Sequence, residues 1–127
     1  ALPKQYQSSW HIEEFADMVP RMLAADIVMA RTSASTLQEC ANAQKALLGV
    51  ASPHLDDQKL NAEYFADKGT LVNVDQDAET GESLMQHVLK LYGTPRATRL
   101  AKELNAFYAK PAAAAEIAEI LTTITTQ

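Results

Sequence analysis

Apolar positions along this chain recur mostly at intervals of three and four residues, the spacing that lines one face of a helix. Met18, Met22, Ala25 and Met29, with Leu23 and Ile27 beside them, make one such stripe, which predicts helix up to about Arg31. Ser8-Ser9 offers capping hydroxyls before Trp10-His11-Ile12-Glu13-Glu14-Phe15, so a first helix is expected from near residue 9. Pro20 lacks an N–H and either kinks that helix or opens a second one from its first turn. The polar cluster Thr32-Ser33-Ala34-Ser35 reads as a turn with caps, and Leu37, Cys40, Ala41, Ala43, Leu47 and Leu48 predict a helix over about 36–50. Ser52-Pro53 with Asp56 and Asp57 predicts the next, about 53–68, with Leu60, Tyr64 and Phe65 inward and Gly69 as its stop.

Leu71-Val72-Asn73-Val74 has strand character but no partner run, and is expected to be an extended linker. It leads into an acidic loop, about 69–81, in which Asp75, Asp77, Glu79, Gly81 and Glu82 resemble a calcium loop in composition. The register does not fit: counted from Asp75, Thr80 stands where glycine is needed and Gln86 where the bidentate glutamate is needed. The loop is therefore read as solvated and as a cap for the following helix, and no metal site is assigned. Leu84, Met85, Val88, Leu89, Leu91 and Tyr92 predict a helix over about 81–92, ended by Gly93. Thr94-Pro95 repeats the cap-then-proline start, and Leu100, Ala101, Leu104, Phe107 and Tyr108 continue it. Pro111 opens a last helix with Ile117, Ile120, Leu121 and Ile124 inward.

An alanine-rich composition with scattered β-branched and aromatic residues sharpens this pattern into a fold class. The expectation is an all-α fold: a single-domain helical bundle of five to seven helices over 1–127, with a flexible start at 1–8. No apolar run approaches the length of a membrane span, so a soluble protein without membrane association is expected. A chain starting at Ala1 fits an intracellular protein with methionine removed or a secreted one with its signal peptide removed. The net charge is −5, which makes nucleic-acid binding an unlikely use. That charge is uneven, because residues 83–110 hold Lys90, Arg96, Arg99, Lys102 and Lys110 against Glu103 alone. Cys40 is the single cysteine and reads as a small apolar core residue.

No Gly-rich phosphate loop, paired cysteines or nucleophile elbow is present. The leading functional reading is therefore a non-enzymatic helical protein acting through protein–protein interaction or self-assembly into an oligomer. Arg96, Arg99 and Lys102, three residues apart along one helix edge, are the binding residues on that reading, with no catalytic residue and no cofactor. A second reading starts from His87-Val88-Leu89-Lys90, which resembles the His-x-Leu-Lys core of histidine phosphotransfer domains. The resemblance implies an all-α bundle in which His87 accepts a phosphoryl group and Lys90 lies beside it, although Leu91-Tyr92 stands where that family has a small residue. A third reading takes the Met18, Met22, Met29 stripe as a groove for an apolar ligand or peptide.

Overall fold

Segments read above as helix ends and as a linker pair instead into a sheet. In the computed structural model, which describes residues 4–126, Ile27–Ala30 (β1), Ala46–Ala51 (β2) and Val72–Asp75 (β3) lie side by side in the order β1-β2-β3. All pairings are parallel, with Met29 opposite Leu48 and Gly49 opposite Asn73. The expected all-α bundle is thereby corrected to an α/β architecture. A central parallel strand is buried on both faces, so it reads as a continuous apolar run rather than an alternation, and Ala46-Leu47-Leu48 passes for the tail of a helix. The same correction applies to 71–74, where β3 stands in place of the expected linker.

The helices are Met18–Ala24 (α1), Ala34–Ala43 (α2), Asp56–Asp67 (α3), Gly81–Leu91 (α4), Pro95–Tyr108 (α5) and Ala113–Thr125 (α6). Asp17 caps α1, and Pro20 sits in its first turn, where the missing N–H is harmless. The stretch from Trp10 to Asp17, expected to be helical, is not; only Lys4–Ser9 coils, as a 3-10 turn. Ala1–Pro3 of the expected flexible start lie outside the described residues. α2 ends because Gln44 adopts the left-handed conformation, φ 53°, with its N–H on the Ala41 carbonyl and the Lys45 N–H on that of Cys40. That role usually falls to glycine, and its absence hid the boundary between α2 and β2.

The main cluster joins Met22 of α1, Leu37, Cys40 and Ala41 of α2, Leu47 of β2, Phe65 of α3, Leu71 just before β3, and Leu104 of α5. Phe65 meets Tyr108 and Phe107 edge-on, with ring centroids 4.9 and 5.5 Å away. Backbone acceptors hold α5 against α2: Asn105 Nδ2 donates to the Ala41 carbonyl at 2.8 Å and Gln38 Nε2 to that of Tyr108 at 2.6 Å. Cys40 is fully buried, and that burial, with Glu39 adding to it, pushes the thiol up to about 11. Several expected core residues are exposed instead: Leu60 and Tyr64 on α3, and Ile117, Ile120, Leu121 and Ile124 on α6. The methionine stripe is also broken up, since Met18 and Met29 are exposed on different elements while Met22 is core.

Candidate functional site

Three parallel strands place their carboxyl ends on one edge of the sheet, where open α/β sheets bind ligands. Here that edge carries Arg31-Thr32-Ser33 between β1 and α2, the Ser52–Leu55 turn between β2 and α3, and Gln76 to Ala78 after β3. Thr32, fully buried, fastens the first of these to α3: its Oγ1 donates to the Gln58 carbonyl at 2.7 Å, and Asn61 Nδ2 donates to the Thr32 carbonyl at 3.1 Å. Gly49 in the neighbouring strand leaves room for this, because a Cβ there would lie 2.6 Å from Thr32 Cγ2.

The two helices that start at this edge differ electrically. α2 is capped by Ser33, whose Oγ accepts from the Thr36 N–H, and has no acid in its first turn. Its Ala34 and Ser35 amides have no intrahelical acceptor, and Arg31 just before it is exposed and in no ion pair among the described residues. This is an anion-binding arrangement. α3 begins with Asp56 and Asp57 and has no side-chain cap, so it repels anions and offers carboxylate acceptors to hydroxyls. In its first turn Gln58 keeps a buried Oε1 with no hydrogen-bond partner. His54 Nε2 and Asp77 Oδ2, from the loops after β2 and β3, lie 2.9 Å apart. Beside α2, a crevice of about 250 Å³ is walled by Val19, Met22, Leu23 and Ala43, with Glu39 and Asn42 on its polar side.

The residues singled out from sequence lie elsewhere. His87 on α4 is half-buried, and its Nε2 is 3.0 Å from Glu79 Oε1, so one ring nitrogen is occupied within the fold. Lys90 is exposed near the end of the same helix. Arg96, Arg99 and Lys102 are exposed on α5, whose first turn lines a cavity of about 600 Å³ at the amino ends of β1 and β2. That cavity is larger than the crevice beside α2 but lies at the opposite ends of the strands from the carboxyl edge. Among the described residues no three His, Cys, Asp or Glu side chains converge to hold a metal ion.

Glu79 has a structural task. It accepts from the Ser83 hydroxyl and then from His87, and these bonds, Ser83 foremost, hold its carboxyl below the ordinary range against a smaller opposing effect of burial. A depressed folded-state value means that the ionised Glu79 stabilises the fold above the ordinary glutamate range, and that this contribution is lost as pH falls through the lowered value. Glu79→Gln is expected to lower stability near neutrality and to leave it nearly unchanged below the lowered value, so that the acid limb of the stability–pH curve flattens. Parallel acid limbs in denaturant titrations of the two proteins would refute that role.

Residues 2–120 match the glycosyltransferase family 28 C-terminal domain. The chain belongs to that family. This domain is 31% identical over 111 residues to the UDP-N-acetylglucosamine–N-acetylmuramyl-(pentapeptide) pyrophosphoryl-undecaprenol N-acetylglucosamine transferase of Myxococcus xanthus, covering 86% of this chain and 29% of that protein. The Pasteurella multocida transferase of the same name is 36% identical over 112 residues, 87% of this chain and 31% of the relative. Acinetobacter baumannii MurG superposes with a TM-score of 0.74 at 27% identity, over 88% of this chain and 33% of that one. The glycotransferase of kitacinnamycin, at 22% identity and a TM-score of 0.63, shares the fold. The glycosyltransferase domain thus spans about a third of the length of these relatives, and its architecture is that of a GT-B C-terminal domain, an α/β fold with a parallel sheet.

Membership in an enzyme family overturns the three functional readings made from sequence. The relatives are UDP-GlcNAc-dependent transferases, not interaction proteins of an all-α class, phosphotransfer bundles or apolar-ligand carriers. The short His87–Lys90 pattern lies on a helix of a different fold. Sequence reasoning passed over Arg31, Ser33, Ser35, Gln58 and Asn61. The signal for them was present: an apolar run, Ile27–Ala30, followed at once by a cation and hydroxyl residues and then by helical periodicity.

Proposed function

We propose that this chain is the donor-binding portion of a glycosyltransferase that moves N-acetylglucosamine from its uridine diphosphate carrier to an acceptor hydroxyl. The observation that carries the reading is the acid-free, cation-flanked amino end of α2 at the carboxyl edge of the sheet. The diphosphate rests on the Ala34 and Ser35 amides with Arg31 beside it, and the charge left on the departing nucleotide is stabilised by the same donors. Glu39, five residues further along α2, is roughly 7 Å away along the helix axis, a distance suited to the ribose of that nucleotide. Val19, Met22 and Leu23 then wall the crevice for the base. The neutral sugar falls to the side of α3, where Asp56 and Asp57 accept from hydroxyls and would repel phosphate. The acceptor hydroxyl attacks the anomeric carbon as the bond to the diphosphate breaks, and its proton leaves to a base outside the residues placed here. The relatives are named for transfer to a pyrophosphoryl-undecaprenol-linked sugar, which supports an acceptor of that class.

Calorimetric titration tests this reading. UDP should bind at least tenfold more tightly than uridine, and Ser35→Asp, which places a carboxylate in the first turn of α2, should weaken UDP about tenfold while leaving uridine nearly unchanged. Equal binding of UDP and uridine to the unaltered chain would reject it.

A further inference from the structure

We propose that His54, fixed in a single tautomer by Asp77, is a hydrogen-bond acceptor that recognises a hydroxyl of the transferred sugar. This inference rests on the donor-binding reading above. His54 stands in the turn between β2 and α3, and Asp77 in the segment after β3, so their contact ties together two loops of the ligand-binding edge. Each is set from its own backbone: Ser52 Oγ accepts from the His54 N–H at 3.3 Å, and Asp75 Oδ1 accepts from the Asp77 N–H at 2.9 Å. An ionised carboxylate only accepts, so the ring nitrogen facing it, Nε2, carries a hydrogen. In the neutral imidazole the other nitrogen, Nδ1, is then the acceptor. No partner holds Nδ1 among the described residues, and 76% of the side chain is open to solvent.

The surroundings decide which ligand group such an acceptor meets. Asp56 and Asp57 follow His54 within three residues, and with Asp77 they make this side of the edge acidic. A phosphate is disfavoured there, whereas a sugar, neutral and rich in O–H donors, is matched by a row of acceptors. Gln58, in the same first turn of α3, keeps a buried Oε1 without a hydrogen-bond partner. An acceptor of fixed tautomer discriminates between sugars by the position of a hydroxyl, because an analogue lacking that group forgoes the hydrogen bond.

The test compares UDP with UDP-N-acetylglucosamine on the full chain and on His54→Ala, His54→Gln and Asp77→Asn. All four proteins should bind UDP within about twofold of one another, which also shows that they are folded. The additional affinity for the sugar nucleotide should fall roughly five- to tenfold in His54→Ala, as for the loss of one hydrogen bond. It should partly return in His54→Gln, whose carboxamide oxygen accepts. Asp77→Asn should lose part of it, because an amide partner lets the ring take either tautomer. Equal losses for UDP and the sugar nucleotide, or an unchanged preference in His54→Ala, would overturn the inference while leaving the donor-binding reading standing. Failure of the unaltered chain to distinguish UDP from uridine overturns the donor-binding reading, and this inference falls with it.

Discussion

Gly49→Ala is expected to destabilise the fold by about 2–3 kcal/mol and to weaken UDP binding by more than tenfold, although Gly49 lies within the sheet and touches no proposed ligand. The new methyl carbon would lie 2.6 Å from Thr32 Cγ2, far inside van der Waals contact. Thr32 cannot yield freely, because its hydroxyl is bonded to the Gln58 carbonyl and its own carbonyl to Asn61. Any shift therefore breaks or stretches the fastening between the β1–α2 loop and α3, and moves Arg31 and Ser33 with it. Precision matters at such sites, where displacement by about 1 Å is enough to cost large factors in function. Gly81→Ala is the matched control, since no atom lies within 4 Å of the added carbon and the residue opens a helix. Chemical denaturation together with UDP titration reads both effects. A Gly49→Ala protein of normal stability and UDP affinity would show that Thr32 does not position the site.

Leu47→Ala and Leu48→Ala should each remove about 3 kcal/mol, and the double variant should not fold. Both side chains are fully buried, yet they are consecutive in β2, so they project to opposite faces of the sheet. Only Leu47 belongs to the main core cluster, so the two losses should be close to additive. A combined loss of roughly 6 kcal/mol is comparable to the whole stability of a small domain. A double variant with native circular dichroism and an unchanged denaturation midpoint would contradict the two-faced burial of β2.

The second half of the chain was legible because its punctuation is local. Thr94-Pro95 does cap and open α5, α4 covers 81–91 where 81–92 was expected, and α3 covers 56–67 against 53–68. Caps, prolines and the glycines at 69 and 93, both with positive φ, act within a few residues and need no partner. Strands depend on neighbours far away in sequence. Ile27–Ala30 is a sheet edge only because Ala46–Gly49 lies beside it, and before that pairing is known its residues extend the methionine stripe. Inward faces failed for a related reason: the apolar side of α6 obeys helical spacing yet lies in solvent, since spacing reports an amphipathic face and not what covers it. The site was missed together with the sheet. Thr32-Ser33-Ala34-Ser35 was recognised as a turn with caps, which it is, but its place at the carboxyl end of a parallel strand shows only once the sheet is known.

The strand order has a consequence for how the chain comes together in time. Because β1, β2 and β3 are neighbours in the order in which they occur, Ile27 pairs with Ala46 and Leu48 with Val72, separations of only about twenty residues. Parallel pairing is usually slow because it closes long loops, and here each closure is as short as a crossover helix permits. The long closure is made by α5, whose Asn105 reaches Ala41 across 64 residues. The carboxyl edge of the sheet, which lies wholly on the loops between residues 31 and 78, is therefore assembled from the locally closing part of the fold, with α5 arriving as the clamp that locks α2 behind it.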